Sequence, residues 1–392
     1  MSTLNLPSPG VIFWPVGCGD STTVVVDEQT IVQIDLHHVE DSEAEDDPRT
    51  PIVDELIELL PLVDGNPYLA AFGATHLDRD HIQGFAELLD RDVVIGELWF
   101  TPRILWELED DPDVELSEDA QAFVVEAERR IELVKAEGAI ASGNRIRIIG
   151  SPDALRARRE IYQHVPDEAI TVPGTAFAHI DGEDESERFS AFVHAPFKDD
   201  TEGERNDTSF AFQVTLTDGE TSGRALLFGD LSYPTIRRIF DRSEAETLAW
   251  DVFLAPHHCS KSVMYFEDET QSADTPRQDI LDDLEAAKHD AGHVVASSIA
   301  IPAQDTKNAN PPHAKAAARY RELVDDGHFL CTAEHPTEDS PEPIVFEVDG
   351  DALVLRAPEG KAAARSSPLS EAVRTARGAA APAAHPVGFG RA

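Results

Sequence analysis

The segment Thr75-His76-Leu77-Asp78-Arg79-Asp80-His81 holds four strong metal ligands, His76, Asp78, Asp80 and His81, within six residues. An apolar stretch (69–74) precedes it and a helical pattern (82–89) follows. A strand that ends in such a loop can aim several imidazoles and carboxylates at one point, so a divalent metal site is the first chemistry these residues suggest. One loop fills only one side of a coordination cage, and the remaining ligands must come from other rigid elements downstream. Two candidates stand at the ends of apolar runs: Asp230 after 225–229, and the pair His257-His258 after 252–256. An aspartate that follows a buried strand and a glycine can point its carboxylate into a cleft and bridge two ions. The histidine pair offers one ligand and one substrate contact. Each candidate also has a plainer reading: an acidic loop with two chance histidines, a Gly-Asp turn at 229–230, and His257 as a packed residue at a strand end. His37 and His38 read as loop residues, and Cys18 and Cys259 as small buried hydrophobes.

Strands and helices alternate around these positions. Runs 11–16, 21–26 and 31–36 are rich in β-branched residues and separated by short polar turns, which predicts a three-stranded meander. The spacing predicts helices over 52–62, 117–137, 152–164 and 311–326, with strands at 69–75, 94–102 and 144–150. A second strand series follows at 189–194, 209–216, 225–229, 251–255 and 294–298, and closing strands at 329–331, 343–347 and 352–355. Two packed β-sheets covered by outer helices accommodate this pattern. Loops are expected over 195–206 and 261–276. Residues 1–356 read as one domain. From 357 to 392 the composition falls to Ala, Arg, Pro, Ser and Gly, a low-complexity tail that cannot bury a core and is expected to be disordered; its arginines are those of a short basic tail.

The chain carries 75 acidic against 32 basic residues, a formal charge of −43. This acidity is spread along the sequence, which suits a soluble, halophilic protein whose carboxylates hold water and cations at high salt. The competing reading, an acidic surface that repels or mimics nucleic acid, lacks a separate acidic block. Cys18, Cys259 and Cys331 are far apart and odd in number, which argues against a disulfide framework. With neither a basic-then-apolar leader nor a membrane-length apolar run in this sequence, the expectation is a cytoplasmic protein.

The ordered motifs Gly17-x-Gly19-Asp20, Ile34-Asp35, His76-x-Asp78-x-Asp80-His81, Asn206-x-x-Ser209, Gly229-Asp230 and His257-His258-x-Ser260 resemble the metallo-β-lactamase-fold hydrolase superfamily. Within it, the chain looks most like the soluble hydrolase domain of the competence DNA-internalisation proteins, from about residue 11 to about residue 334. The resemblance implies an α/β fold, a four-layer αββα sandwich with the metal site at one edge of the sheets. It implies His76, Asp78, Asp80, His81, Asp230 and one of His257 or His258, with His258 favoured, as ligands of one or two divalent ions. Asp20 and Asp35 would orient ligating imidazoles. Ser260 and Asn206 would lie beside the substrate, and His313 near the scissile group.

The chain departs from the superfamily pattern at three points. Asp78 stands where the common signature has histidine, which makes the first position harder, so that it either prefers manganese or magnesium to zinc or stands empty; the expected cofactor is one or two divalent ions, zinc or manganese first and magnesium as a further candidate. The usual third histidine has His194 as its only well-placed candidate. Cys259 replaces a glycine, and a positive φ there would strain it.

The expected function is a metal-dependent hydrolase, a phosphodiesterase or nuclease in which the cation activates a water, Asp80 or Asp230 orients it, and the non-ligating one of His257 and His258, or His313, neutralises the developing charge or protonates the leaving oxygen. The expected partner is a phosphodiester, with single-stranded DNA or nucleotides easier to accommodate than duplex because of the charge. An ester, thioester or lactone hydrolase is the alternative within the fold. A catalytically idle metal-binding scaffold is the alternative outside it.

Overall fold

A computed structural model describes residues 4–44, 46–110, 115–137, 140–198, 206–307 and 309–357. The expected tail lies outside the described residues from 358 onward. Among the described residues, one sheet runs in the order Leu353–Leu355, Ile344–Val348, Gly10–Phe13, Thr22–Val25, Ile31–Ile34, Asn66–Ala74, Val94–Phe100, Arg145–Ile149 and Ile170–Thr171. It is antiparallel up to Ile31–Ile34 and parallel beyond. The second runs Phe329–Cys331, Lys288–Ala296, Trp250–Leu254, Thr221–Leu227, Ala211–Asp218, Phe189–Ala195 and Ala176–Phe177. Its first four strands are parallel.

Successive side chains of a strand face opposite ways, and here both faces are buried. Val11 and Phe13 enter a core shared by the two sheets, whereas Ile12 enters a different core. Likewise Ala225 and Leu227 face the shared core, and Leu226 faces away. The outward core of the first sheet is closed by helices Ile52–Leu59, Phe85–Asp90 and Glu118–Glu137. That of the second is closed by Tyr233–Arg242, Gln278–Ala287 and Ala314–Leu323. Helix, sheet, sheet and helix thus form the four expected layers.

The meander is present with shorter strands. Its third strand stops at Ile34 because Asp35 turns into the left-handed region with φ 54°. The predicted helix at 152–164 breaks into an α-helix Pro152–Arg158 and a 3-10 turn Glu160–His164. The expected loop at 261–276 contains a short helix, Lys261–Met264. The residue pattern predicts neither helix Tyr233–Arg242 nor helix Gln278–Ala287; the first buries only Thr235, Ile236 and Ile239 along one narrow stripe. At the carboxyl ends of the parallel strands, the loops after Ile34, Ala74, Leu227, Leu254 and Ala296 gather, the usual place for a site in an α/β sheet.

Candidate metal centre

Each side chain of the centre is set by the end of a buried strand. Asp35 is 1% exposed and bridges two elements. Its Oδ1 accepts from the Thr75 backbone N–H at 2.7 Å and its Oδ2 from the Thr75 hydroxyl at 2.7 Å, while Oδ2 also lies 2.8 Å from His81 Nδ1. The Gln33 side chain holds the carbonyl of Asp35 at 2.6 Å. At Gly19 a Cβ would fall 2.2 Å from His37 Nδ1 and 2.7 Å from the Asp80 carbonyl, so only glycine lets this loop close on the ligand segment. The Asp20 backbone N–H then donates to the Asp80 carbonyl at 3.0 Å.

The second sheet supplies the other half through an unusual turn. His257, His258 and Cys259 have φ of 50°, 52° and 65°, three consecutive left-handed residues without a glycine. Such a conformation costs about 1–2 kcal/mol per residue, and strain of this kind gathers at functional sites. The turn is pinned by the His257 N–H to the Gly229 carbonyl at 3.1 Å and the His313 N–H to the Cys259 carbonyl at 3.1 Å. It sends the His258 ring inward, 2% exposed, and leaves His257 partly exposed. The strain expected at Cys259 is therefore present and shared with both histidines.

The inward groups face each other at a characteristic spacing. His81 Nε2 is 3.3 Å from His258 Nε2 and 3.3 Å from Asp230 Oδ1. His258 Nε2 is 3.2 Å from Asp80 Oδ2 and 3.7 Å from Asp230 Oδ1. His76 Nε2 is 3.7 Å from Asp78 Oδ2 and 3.9 Å from Asp230 Oδ2. Ligand atoms at ~2.1 Å from one tetrahedral ion lie roughly 3.4 Å apart, longer than the usual hydrogen bond. Among the described residues, the buried His76 Nε2 and Asp230 Oδ1 have no hydrogen-bond partner, an unusual state for buried polar atoms. Asp20, His81, Asp230 and His258 can each place one ligand atom within 4.8 Å of the others. The residues present therefore fit a divalent cation.

Electrostatics agree with that fit. Burial acts to lower His81 and His258, yet the surrounding carboxylates, Asp230 and Asp35 for the one and Asp230 and Asp20 for the other, lift both well above the ordinary imidazole range. Burial works to raise Asp230, and the imidazoles of His258 and His81 outweigh it and hold the carboxylate well below its usual value. Surroundings that favour a proton on each ring also favour a divalent cation shared between them. His76 behaves differently, because burial and the neighbouring His81 push it down to about 4 and keep it neutral.

The remaining predicted residues divide. Asp20 Oδ1 lies 3.3 Å from His258 Nδ1, which also faces the Ser297 carbonyl at 3.1 Å. His257 Nε2 is 3.7 Å from Asp230 Oδ2. Asn206 opens a short turn that presents Ser209, whose hydroxyl is 3.3 Å from His76 Nδ1. Ser260 caps the Lys261–Met264 helix, with its oxygen accepting from the Ser262 N–H, and is 4% exposed beside the histidine turn. His313 is buried; Nδ1 accepts from the Lys261 N–H at 3.3 Å and Nε2 donates to the Ala309 carbonyl at 3.1 Å. With both nitrogens committed, it holds the histidine turn and has no proton to give a leaving group. His194 is turned to the Ser243 hydroxyl (2.8 Å) and the Thr247 carbonyl (2.9 Å), which leaves it no nitrogen for an ion. Thr75, Gln33 and Ser297 also position the centre, although their residue types give no signal in the sequence.

No family model matches the chain, and no curated protein matches it. Among solved structures it is similar to a subclass B3 metallo-β-lactamase of Bradyrhizobium japonicum, with 14% identity over 72% of this chain and 89% of that one and a TM-score of 0.33. It is also similar to a B3 metallo-β-lactamase with an active-site glutamic acid, with 11% identity over 60% and 72% and a TM-score of 0.31.

Proposed function

We propose that this protein is a metal-dependent hydrolase acting on phosphodiesters. The observation that carries the reading is the set of buried imidazole and carboxylate atoms at ion-sharing distances, with His76 Nε2 and Asp230 Oδ1 otherwise unpartnered among the described residues. His76, His81, His258, Asp230, Asp80 and Asp78 would hold one or two ions, with Asp20 and Asp35 behind the rings. A bound divalent cation supplies charge stabilisation and an activated water. Asp35 and Thr75 fix the tilt of His81, so the ring presents Nε2 without reorganisation. Asp80, whose side chain is partly exposed, would orient the water; burial works to raise it, but His258 at 3.2 Å holds it below the usual carboxylate range, so it is a poor proton acceptor. His257, partly exposed and 3.7 Å from Asp230 Oδ2, would protonate the leaving oxygen.

An anionic substrate is supported by the cleft of about 470 Å³ that opens on Asp80. Arg49 and Arg79 line it, beside His37, which burial lowers to about 4 and keeps neutral. Arg49 is held in a fork by Asp47, whereas Arg79 touches the Gln83 side chain and makes no ion pair among the described residues. In a chain of −43, such a cationic wall is where a phosphate can approach. Single-stranded DNA or nucleotides are the proposed substrates, and the cytoplasm the proposed location. No described helix is long and apolar enough to cross a membrane.

The test is elemental analysis of protein purified in molar salt, followed by assays on linear single- and double-stranded DNA, a bis-aryl phosphodiester and an aryl ester with manganese, magnesium or zinc. Phosphodiester turnover that depends on added metal is expected. Turnover of the ester alone would move the assignment to ester, thioester or lactone hydrolysis, and retained metal without any turnover would leave a scaffold.

A further inference from the structure

We infer that His38, Glu43 and Glu87 form a separate cation site that staples the loop after Asp35 to the helix Phe85–Asp90. The inference does not depend on the proposed hydrolase. His38 is 4% exposed. Its backbone N–H donates to the Gln83 carbonyl at 2.8 Å, and its Cβ would lie 2.7 Å from any Cβ at Gly84, whose φ is 105°. A side chain at position 84 would therefore push His38 away from the helix. The imidazole is lodged between the 3-10 turn Glu40–Glu43 and the helix, yet among the described residues neither ring nitrogen has a hydrogen-bond partner.

What faces Nε2 is a pair of carboxylates, Glu43 Oε1 at 3.5 Å and Glu87 Oε2 at 3.5 Å. Both separations exceed a charge-assisted hydrogen bond and match ligand atoms around one ion at ~2.1 Å, roughly 3.4 Å apart. The second oxygen of Glu87 accepts from Arg91 Nη1 at 3.1 Å, and Arg91 is anchored in turn on Asp54, so the carboxylate is oriented from behind. Glu43 is 58% exposed, which leaves a side of the site open for water. One imidazole with two carboxylates suits zinc or manganese better than calcium or magnesium. This ion would fasten chain that leads from Asp35, a residue of the first centre, through Glu43 towards Arg49 at the cleft.

The experiment is equilibrium dialysis of the full chain against buffered zinc in molar salt, with bound zinc counted and melting followed with and without the ion. Relative to wild type, His38→Gln should lose one equivalent and the matching part of the zinc-dependent rise in Tm, while His258→Gln should lose zinc from the first centre and keep this equivalent. Unchanged stoichiometry and an unchanged Tm response in His38→Gln would overturn the site. If that variant does not fold, Glu43→Gln on the rim decides: zinc binding at this equivalent weakened at least tenfold supports the site, and unaltered binding refutes it. Loss of zinc from the first centre alone in wild type would count against the hydrolase and leave this inference standing.

Discussion

His258 and His194 are each 2% exposed and belong to the same sheet, His194 inside the strand Phe189–Ala195 and His258 just beyond the strand Trp250–Leu254, yet the surroundings of the two rings differ. His194 has a hydroxyl and a carbonyl at 2.8 and 2.9 Å, one for each nitrogen, and burial lowers it to about 4. His258 has the Ser297 carbonyl at 3.1 Å from Nδ1, carboxylates and another imidazole at 3.2 to 3.7 Å, a left-handed backbone, and a raised pKa. The first pattern is a polar group satisfied by its own fold. The second is costly unless something shares the charge, because carboxylates and imidazoles gathered away from water lose the hydration of their charged forms. Burial of a histidine therefore says little; the length and kind of its contacts separate a packed residue from a ligand.

The largest effect should come from removing a carboxylate at the centre. Asp230→Asn is expected to lose bound metal and to lower kcat by roughly a thousandfold or more, since the cation supplies several kcal/mol of stabilisation. His194→Gln should keep both. If His194→Gln loses metal in elemental analysis and Asp230→Asn does not, the contrast between the two regions is reversed.

Next in size is Asp35→Asn. It leaves the ligands in place but weakens the acceptor of His81 Nδ1, so metal affinity should fall roughly 10–100-fold and activity should return at excess metal. Titration with a chelator-buffered ion measures it. Affinity within twofold of wild type would mean that Thr75 and packing alone orient the ring.

Much of this centre was legible in the sequence because its ligands lie at strand ends, where type and spacing carry the signal. The segment His76 to His81, Asp230 and His258 converge in the structure as their spacing suggested. What stayed hidden depends on contacts between distant chain segments: the Thr75 hydroxyl beneath Asp35, the Ser297 carbonyl behind His258, and the commitment of both His313 nitrogens. The fold was legible in its two strand series because alternate residues enter different cores. Helices Tyr233–Arg242 and Gln278–Ala287 were not, since a peripheral helix with a narrow apolar stripe looks like polar loop.

A third measurement sharpens the contrast from the His194 side. Its folded value of about 4 lies below the ~6.5 of an unfolded imidazole, so the group contributes stability that is fully present above pH ~6.5 and is lost as pH falls through about 4. Within that window the slope approaches one proton, about 1.4 kcal/mol per pH unit. Urea midpoints from pH 7 to 4.5 should fall less steeply in His194→Gln than in wild type. Parallel slopes would show that His194 protonates in place.

The smallest effect tests whether the same contrast extends to guanidinium groups. Arg130 is 2% exposed and spends its nitrogens on Glu126 and on the carbonyls of Ile95, Gly96 and Arg145, as a structural cation does. Arg79 sits on the cleft wall beside Asp80 with the Gln83 oxygen at 3.0 Å. An exposed arginine contributes only modestly to an encounter, and salt screens it further. Arg79→Gln should therefore raise KM for an anionic phosphodiester about three- to tenfold at low ionic strength, with kcat nearly unchanged. KM for a neutral aryl ester should not move. Because the guanidinium acts through charge, the difference should shrink as salt rises towards molar; an equal rise for both substrates, or one indifferent to salt, would make Arg79 a packing residue and remove the cationic wall as a reason to prefer phosphodiesters.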